Sequence, residues 1–199
     1  MSFEQQICDR ETKLLLRELE KTYELEAGDI VEFGCYAGDT SILLAQNMQD
    51  HGLDDCWLWL YDSFEGLPEK TREDQSAAGW RFKGGELKVS EMTVAHKFKK
   101  YELPEPVIKK GWFQHLDPNY DLPNQIRFAL LDGDFYESIK TSLRLVAPKL
   151  IPGATVLVHD YRNPALPGSA KAVDEFVAAH PEFKFRRAGT LAILQKPLE

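Results

Sequence analysis

A short apolar stretch that runs into two glycines restricts the fold of this chain more than any other part of its sequence. Residues 30–33 are apolar apart from Glu32, and Gly34 and Gly38 follow with three residues between them. The stretch predicts a buried strand, and the glycines predict a tight turn, because glycine has no Cβ and tolerates a positive φ angle. A helical pattern then begins at residue 39. We expect a ligand to bind at this turn, where backbone can approach it closely.

Strand and helix patterns alternate along the rest of the chain, which predicts right-handed crossovers and a parallel sheet with helices on both faces. Two strand patterns around Gly189 predict a C-terminal hairpin that adds antiparallel strands. The expected architecture is a Rossmann-like α/β fold, with a mostly parallel seven-stranded sheet in a single domain over residues 1–199. The predicted strands are residues 29–33, 56–61, 107–110, 126–131, 154–158, 183–187 and 191–195, and the predicted helices are residues 9–23, 39–49, 90–101, 136–150 and 169–179.

One long segment, residues 66–88, follows neither the strand nor the helix pattern. Residues 1–28 are predicted to form one N-terminal helix before the first strand. The long segment contains Pro68, Trp80 and a glycine pair. A loop of this length is uncommon inside a compact domain unless it covers or binds a ligand. We therefore predict that residues 66–88 form a lid.

Composition and charge exclude several classes of partner. The 199 residues are 43% hydrophobic and carry a net charge of −8, which fits one globular domain that binds neither duplex nucleic acid nor an anionic membrane. No apolar stretch approaches the roughly 18 residues of a membrane-spanning helix. Residues 1–10 are polar and acidic, so no secretory signal is predicted. The widely spaced Cys8, Cys35 and Cys56 predict free thiols in the cytoplasm.

Acidic residues follow several predicted strands, at the sheet edge where ligands bind in folds of this type. Asp62 ends the second strand, where nucleotide-binding sheets place an acid that accepts hydrogen bonds from ribose hydroxyls. Alone, it could equally be a solvated turn residue. The glycine turn lacks the G-x-G-x-x-G pattern and the chain has no phosphate-loop motif. The sequence therefore offers few donors that could bind a pyrophosphate. The residues favour a nucleoside without phosphate, of which S-adenosylmethionine is the common example.

A second acidic group comes from two later strands. Asp132 and Asp134 follow residues 126–131, and the pair His159-Asp160 follows residues 154–158. Neighbouring parallel strands lie about 4.8 Å apart, so carboxylates at their ends can share one divalent cation. Turn and helix-cap chemistry is the structural alternative for the aspartates.

These motifs together resemble the macrocin O-methyltransferase family, S-adenosylmethionine enzymes that methylate sugar hydroxyls of macrolide and aminocoumarin antibiotics. The resemblance runs from about residue 30 to the end of the chain, and it implies a Rossmann-like methyltransferase fold. The matching motifs are V-E-F-G at 31–34, Y-D-S-F-E-G-L-P at 61–68, K-G-W-F at 110–113, L-D-G-D-F-Y-E-S at 131–138, H-D-Y at 159–161, Gly168, and A-V-D-E-F at 172–176.

The resemblance implies a binding role for each part of the cofactor site. Residues of the glycine turn would line the methionine part of S-adenosylmethionine, Asp62 would hold the ribose, and Gly111-Trp112 would lie near the adenine. The full set predicted to bind the cofactor is Glu32, Gly34, Tyr36, Gly38, Thr40, Ser41, Asp62, Ser63, Phe64, Gly111, Trp112 and Asp132.

The resemblance also implies the catalytic and metal-binding residues. In the family the first Asp of the Asp-Gly-Asp motif is a magnesium ligand and the proposed base, so Asp132 inherits both roles. The family has an Asp-Asp pair where this chain has His159-Asp160. The predicted catalytic residues are Asp132 and His159, and the predicted metal ligands are Asp132, His159 and Asp160. Imidazole suits manganese, iron or zinc better than magnesium, so the identity of the divalent metal stays open.

Two further departures concern the acceptor. The first strand starts near residue 30, which leaves little room for the N-terminal extension that helps to close the antibiotic site in the family, so a large macrolide acceptor is not assured. Gln114-His115-Leu116 stands where family members tend to carry Asp-Thr, and we expect His115 to face the substrate in their place.

The predicted function is O-methylation of a small-molecule hydroxyl by a cytoplasmic enzyme that can form a homo-oligomer. Asp132, or a metal held by it, would assist loss of the hydroxyl proton, because an alcohol is a weak nucleophile at neutral pH. Three alternatives stay open: a catechol-type metal-dependent O-methyltransferase, a catalytically impaired adenosyl-binding protein, and a nicotinamide oxidoreductase, although the missing third glycine argues against the last.

Overall fold

A central seven-stranded sheet organises the protein, for which a computed structural model describes residues 9–198. Cys8 and most of the N-terminal stretch used to predict the absence of a secretory signal lie outside the described residues. The helices are α1 Asp9–Glu20, α2 Asp39–Asp50, α3 Glu91–Lys100, α4 Tyr136–Val146 and α5 Pro167–Ala179, and the strands are β1 Asp29–Phe33, β2 Leu58–Asp62, β3 Val107–Lys110, β4 Ile126–Leu131, β5 Leu150–Val158, β6 Lys184–Ala188 and β7 Leu191–Gln195.

The strand order confirms the predicted α/β fold. It runs β3-β2-β1-β4-β5-β7-β6, with parallel pairing from β3 to β5 and antiparallel pairing of β7 with both β5 and β6. The order reverses between β1 and β4, so the chain connections leave a crevice at the carboxyl ends of these two strands.

Helices cover both faces of the sheet, as the near-continuous apolar strands predict. Every residue of β4 is buried. Because side chains alternate along a strand, Ala129 and Leu131 pack with α4 and α5 on one face, whereas Phe128 and Leu130 pack with α1, α2 and α3 on the other. The sheet therefore holds the strand ends rigidly for the loops that follow them. In the described part of the chain, no helix has the length and apolar character needed to cross a bilayer.

Some predicted boundaries were wrong at the junction of α4 and β5. The apolar spacing predicts a helix to residue 150, but α4 ends at Val146 and Leu150 already starts β5. Pro148 lies in the short 3₁₀ turn between them, and its lack of an N–H group and its ring prevent the helix from continuing. Other helix boundaries differ less from the prediction. Helix α1 ends at Glu20 instead of residue 23, and α5 begins at Pro167 instead of residue 169.

The segment 66–88 is irregular, as predicted, apart from short 3₁₀ turns at Arg72–Asp74 and Gly79–Arg81. Its two ends are joined by backbone hydrogen bonds from Leu67 N to Glu86 O, at 2.7 Å, and from Gly85 N to Leu67 O, at 2.8 Å. The segment leaves the sheet after β2 and passes over the crevice. Its role as a lid and the extent of the domain over residues 1–199 stay predictions.

Candidate functional site

A cavity of about 560 Å³ opens at the carboxyl ends of β1, β2, β4 and β5, and residues 66–88 form part of its wall. The strand-end loops contribute Gly34, Asp62, Asp132 and His159 to the lining. The topological switch between β1 and β4 lies at this same edge. The cavity is therefore where a sheet of this type binds its ligand.

The glycine turn after β1 touches the loop after β4. Gly34 has a φ angle of 91°, and a Cβ atom there would lie 2.1 Å from the carbonyl oxygen of Asp132. Asp132 N in turn donates to Phe33 O at 2.8 Å. Glycine is required at position 34 because the two loops meet without space for a side chain.

Asp62 lies at the end of β2 on the cavity wall and ties two loops together. Its carboxylate accepts hydrogen bonds from Tyr36 N, at 2.9 Å, and from Phe64 N, at 2.7 Å. Burial raises the pKa of Asp62, and these backbone hydrogen bonds oppose the rise. The side chain is thus held next to the glycine turn, and its contact with a ribose stays a prediction.

Glu32 lies behind the cavity and is not part of its wall. It is 1% exposed and accepts a hydrogen bond from Ser41 Oγ at the start of α2. Burial raises the pKa of Glu32 to about 8, helped by the charges of Asp132 and Asp62 and opposed by the Ser41 hydrogen bond. Within this structure, Glu32 and Ser41 connect β1 to α2 instead of lining the cavity.

The predicted cofactor residues therefore fall into two groups. Those on the cavity wall are Gly34, Tyr36, Asp62, Ser63, Trp112 and Asp132. Those outside the wall are Glu32, Gly38, Thr40, Ser41, Phe64 and Gly111. Phe64, for example, is 2% exposed and packs in the core under β2. The contact of either group with a cofactor stays a prediction.

Asp132, His159 and Asp160 converge at the ends of β4 and β5. His159 Nδ1 lies 3.0 Å from Asp132 Oδ1 and 3.2 Å from Asp160 Oδ2, and potential ligand atoms of all three residues lie within 4.8 Å of one another. Burial lowers the pKa of His159, but the two carboxylates raise it overall, to about 12. Burial raises the pKa of Asp160, but His159 and Asn163 lower it overall.

This group fits a divalent metal with mixed ligands. Neither buried ring nitrogen of His159 has a hydrogen bond of good geometry among the described residues, although Nδ1 is close to both carboxylates. One imidazole nitrogen and two carboxylates suit manganese, iron or zinc better than magnesium. Asp134, which the strand spacing placed with them, lines the cavity but is not one of the three. Burial, together with the charges of Asp132 and Asp160, raises the pKa of Asp134 well above its usual range.

Backbone strain gathers around the cavity. Four non-glycine residues in the loops after β1, β2, β4 and β5 have positive φ angles: Tyr36 at 45°, Phe64 at 54°, Asp134 at 60° and Asp160 at 56°. Each such conformation costs roughly 1–3 kcal/mol and persists only where the surroundings hold it. Strain of this kind clusters at functional sites, and here it marks four of the strand-end loops that enclose the cavity.

Sequence reasoning missed several wall residues and misplaced one. Glu137, Ser138 and Thr141 occupy one face of α4 directly after the Asp-Gly-Asp motif, a helical spacing that could have been noticed. Gln114 lines the cavity, whereas His115, the residue expected to face the substrate, is exposed and does not. Several residues of the segment 66–88 also line the cavity, and local sequence patterns do not identify them. They include Leu67, Pro68, Thr71, Asp74, Phe82 and Leu87.

Comparison with known proteins places the chain in a family. The family model for macrocin-O-methyltransferase (TylF) matches residues 16–182, which include the glycine turn, Asp62, Asp132 and His159-Asp160. The chain belongs to the macrocin-O-methyltransferase family. The family resemblance read from the sequence motifs is therefore confirmed.

Individual relatives agree with this family assignment. The chain is 32% identical over 157 residues to demethyldecarbamoylnovobiocin O-methyltransferase of Streptomyces niveus. The matched region covers 76% of this chain and 58% of the relative. The chain is also 33% identical over 140 residues to 8-demethyl-8-(2,3-dimethoxy-alpha-L-rhamnosyl)-tetracenomycin-C 4'-O-methyltransferase of Streptomyces olivaceus, covering 67% and 53%. The chain therefore spans somewhat more than half the length of these relatives.

A solved structure supports the fold. The O-methyltransferase NovP superposes with a TM-score of 0.76 at 26% identity, covering 94% of this chain and 78% of NovP.

Proposed function

We propose that this macrocin-O-methyltransferase family member transfers the methyl group of S-adenosylmethionine to a hydroxyl of a sugar or natural-product glycoside. The observation that carries the proposal is the convergence on one cavity of the glycine turn, Asp62 and the Asp132–His159–Asp160 group. In the proposal, the glycine turn and Asp62 bind the adenosine part of the cofactor. The Asp132–His159–Asp160 group assists the loss of a proton from the acceptor hydroxyl. The relatives from Streptomyces niveus and Streptomyces olivaceus, by their names, are O-methyltransferases of glycosylated natural products, which supports an acceptor of this class.

The proposed cofactor fits the charge of the cavity. Among the described residues that line it, none is Lys or Arg, and His159 lies against the carboxylates of Asp132 and Asp160, so no free cationic side chain is available to bind a pyrophosphate. Asp62 faces the ribose hydroxyls in the proposal, and Tyr36 and Trp112 flank the adenosyl group. A sulfonium cation also suits a cavity with several carboxylates. These features favour S-adenosylmethionine over NADH, and titration calorimetry with both ligands would decide between them.

Asp132 acts on the acceptor in this proposal. Its carboxylate accepts the proton of the acceptor hydroxyl, whose oxygen attacks the methyl carbon in line with the departing sulfur. His159, held against Asp132, balances the charge of the two aspartates. If a divalent metal binds, neutral His159 would instead hold it together with Asp132 and Asp160, and the metal would lower the pKa of a bound hydroxyl. Tight positioning of the two reacting groups supplies much of the remaining rate enhancement.

The substitution Asp132→Asn tests the proposal. We expect S-adenosylhomocysteine to bind with a dissociation constant within about threefold of wild type, and turnover to fall by at least about a hundredfold, since loss of a general base costs about 10²–10⁴ in rate. The assay measures S-adenosylhomocysteine release with a panel of glycosides and phenols, and calorimetry measures binding. Asp50→Asn, on the exposed end of α2, is the matched control.

Three results would contradict the proposal. If Asp132→Asn turns over at the wild-type rate, the Asp132 carboxylate is not the general base. A wild-type protein that binds S-adenosylhomocysteine but methylates no member of the panel supports the alternative of an adenosyl-binding protein without catalysis, which His159 in place of an acid favours. Turnover of phenols alone would favour a catechol-type enzyme. Homo-oligomer formation and a cytoplasmic location stay predictions.

A further inference from the structure

We propose that Asp74, in the segment 66–88, is a positioning residue that holds the two strand-end loops bearing the acidic residues of the cavity. These loops are the β4–α4 loop, residues 132–135, and the β5–α5 loop, residues 159–166. Neither the sequence patterns nor the family motifs single out Asp74. The kinetic part of this inference rests on the proposed function, whereas its structural part does not.

Asp74 is a buried carboxylate with every contact directed at backbone or a neighbouring hydroxyl. It is 1% exposed, although it lies in an irregular segment outside the sheet. Oδ1 accepts a hydrogen bond from Tyr136 N at 2.7 Å, and Oδ2 accepts hydrogen bonds from Thr71 N at 2.9 Å and from Thr71 Oγ1 at 2.7 Å. A buried carboxylate is costly unless it is paired in this way. Its three donors leave it poorly suited to act as a base or a metal ligand itself.

The bond to Tyr136 caps α4 from a distant part of the chain. Phe135, at the N-cap position of α4, supplies no capping side chain, so the first N–H of the helix depends on Asp74. An anion is also favoured at a helix N-terminus by the helix dipole. Asp74 therefore anchors α4 two residues after Asp134, at the end of the β4–α4 loop.

The start of α5 reaches the same carboxylate. A Cβ atom on Gly168 would lie 1.9 Å from Asp74 Oδ1 and 2.8 Å from Tyr136 N, so glycine is required for α5 to approach them. Ser76 Oγ, in the same segment as Asp74, donates to Pro164 O in the β5–α5 loop at 2.8 Å. The segment 66–88 thus joins both loops at the point where their helices begin.

Both loops contain a strained residue that needs such support. Asp134 and Asp160 have positive φ angles of 60° and 56°. A non-glycine residue stays in this conformation only when the surrounding structure holds it there. We infer that loss of the Asp74 contacts lets Asp134 relax and shifts residues 133–135 together with the Asp132 side chain. The Asp132 backbone, bonded to Phe33 O, should keep its position, as should the glycine turn after β1 and Asp62 of β2.

The substitution Asp74→Asn tests the inference with almost no change in shape. Whichever way the amide is oriented, its NH₂ group faces an N–H donor, either that of Tyr136 or that of Thr71, so one side of the clamp is lost. We expect the turnover number for methyl transfer to fall about tenfold to a hundredfold, because a small misplacement of reacting groups has effects of this size. The KM for S-adenosylmethionine and the dissociation constant of S-adenosylhomocysteine should stay within about twofold of wild type.

Hydrogen exchange provides a readout that needs no acceptor. In Asp74→Asn, amides of residues 132–138 should exchange faster than in wild type, as well as those of residues 66–88. The matched control is Glu73→Gln, which removes the outer ion pair of the same 3₁₀ turn with Lys171, at 3.0 Å, and should change neither the turnover number nor exchange in residues 132–138. Thr71→Val, which removes the Oγ1 hydroxyl but keeps the Thr71 N donor to Asp74, should show the same changes more weakly and serves if Asp74→Asn does not fold.

The results separate this inference from the proposed function. Faster exchange confined to residues 66–88, with an unchanged turnover number, would overturn the positioning role and leave Asp74 as a local loop residue. A fall in cofactor affinity equal to the fall in turnover would also overturn it. If wild type methylates no acceptor, the proposed function fails, and exchange in residues 132–138 still decides whether Asp74 holds the β4–α4 loop.

Discussion

At the residue scale, the site depends on a few positions where backbone from different strands meets. Gly34 lets the turn after β1 contact the carbonyl of Asp132, and Asp62 holds the same turn through Tyr36 N. These contacts couple the predicted cofactor side of the cavity to the predicted catalytic side. A change at one of these positions should therefore affect both.

A methyl group at Gly34 should be poorly tolerated. We expect Gly34→Ala to lower the free energy of unfolding by about 2–4 kcal/mol, because the new Cβ would lie 2.1 Å from Asp132 O in a residue that already has a positive φ angle. Urea denaturation provides the measurement. Gly52→Ala is the control, since its φ angle is 67° but no atom lies within 4 Å of the added Cβ, and about 1 kcal/mol is expected. Equal losses in the two variants would argue against close contact at Gly34.

At the element scale, two acidic side chains of α1, the buried Glu18 and the half-buried Glu11, connect this helix to the C-terminal hairpin. Glu18 is 3% exposed and pairs with Arg186 of β6 and with Lys21, the latter at 2.7 Å. Glu11 accepts a hydrogen bond from Thr190 N at 3.0 Å in the turn between β6 and β7. The first helix and the edge of the sheet are therefore joined by polar contacts in addition to their apolar packing.

The Glu18 contacts predict a pH-dependent contribution to stability. Burial raises the pKa of Glu18, but Lys21 and Arg186 lower it overall, below its reference value of 4.5. A lowered pKa in the folded state stabilises the protein at pH values above the unfolded-state pKa, and this contribution is lost as the pH falls through the folded pKa. Glu18→Gln should therefore be less stable than wild type at pH 7, by about 1–2 kcal/mol, with a difference that shrinks below pH 4.5.

Urea denaturation at a series of pH values measures this difference. Glu24→Gln, at an exposed position after the same helix, is the control and should track wild type throughout. A destabilisation by Glu18→Gln that is constant from pH 7 to pH 3 would show that the carboxylate charge is not responsible.

At the scale of the whole molecule, the sheet gathers loops that are far apart in the chain. Loops after β1, β2, β4 and β5 enclose one cavity, and residues 66–88 close one side of it. A ligand in this cavity would contact most of these loops at once, so binding should stabilise the fold as a unit.

Binding of S-adenosylhomocysteine should therefore raise the melting temperature. A ligand at 100 times its dissociation constant adds about 2.7 kcal/mol if it binds only the folded state. In a chain of 199 residues this corresponds to a shift of about 5–10 °C. Differential scanning fluorimetry measures the shift, and adenosine triphosphate is the control ligand, since no Lys or Arg is found among the described residues that line the cavity. No shift with S-adenosylhomocysteine, or an equal shift with the triphosphate, would contradict the proposed cofactor.

The sequence by itself determined the alternation of strands and helices, and with it the edge of the sheet where Asp62, Asp132 and His159-Asp160 stand. Such features follow from local patterns, because apolar periodicity, glycine and proline act over a few residues. The wider family motifs then named the fold and the family that the comparisons confirmed.

Only the tertiary structure decided which of these residues face the cavity. Glu32 turns to Ser41 behind it, His115 lies outside it, and Asp74 reaches Tyr136 N across 62 positions of sequence. The start of β5 at Leu150, four residues before the predicted strand, likewise depended on how this strand pairs with β4. The physical reason is that contacts between distant residues depend on how whole helices pack against the sheet, which no local pattern encodes.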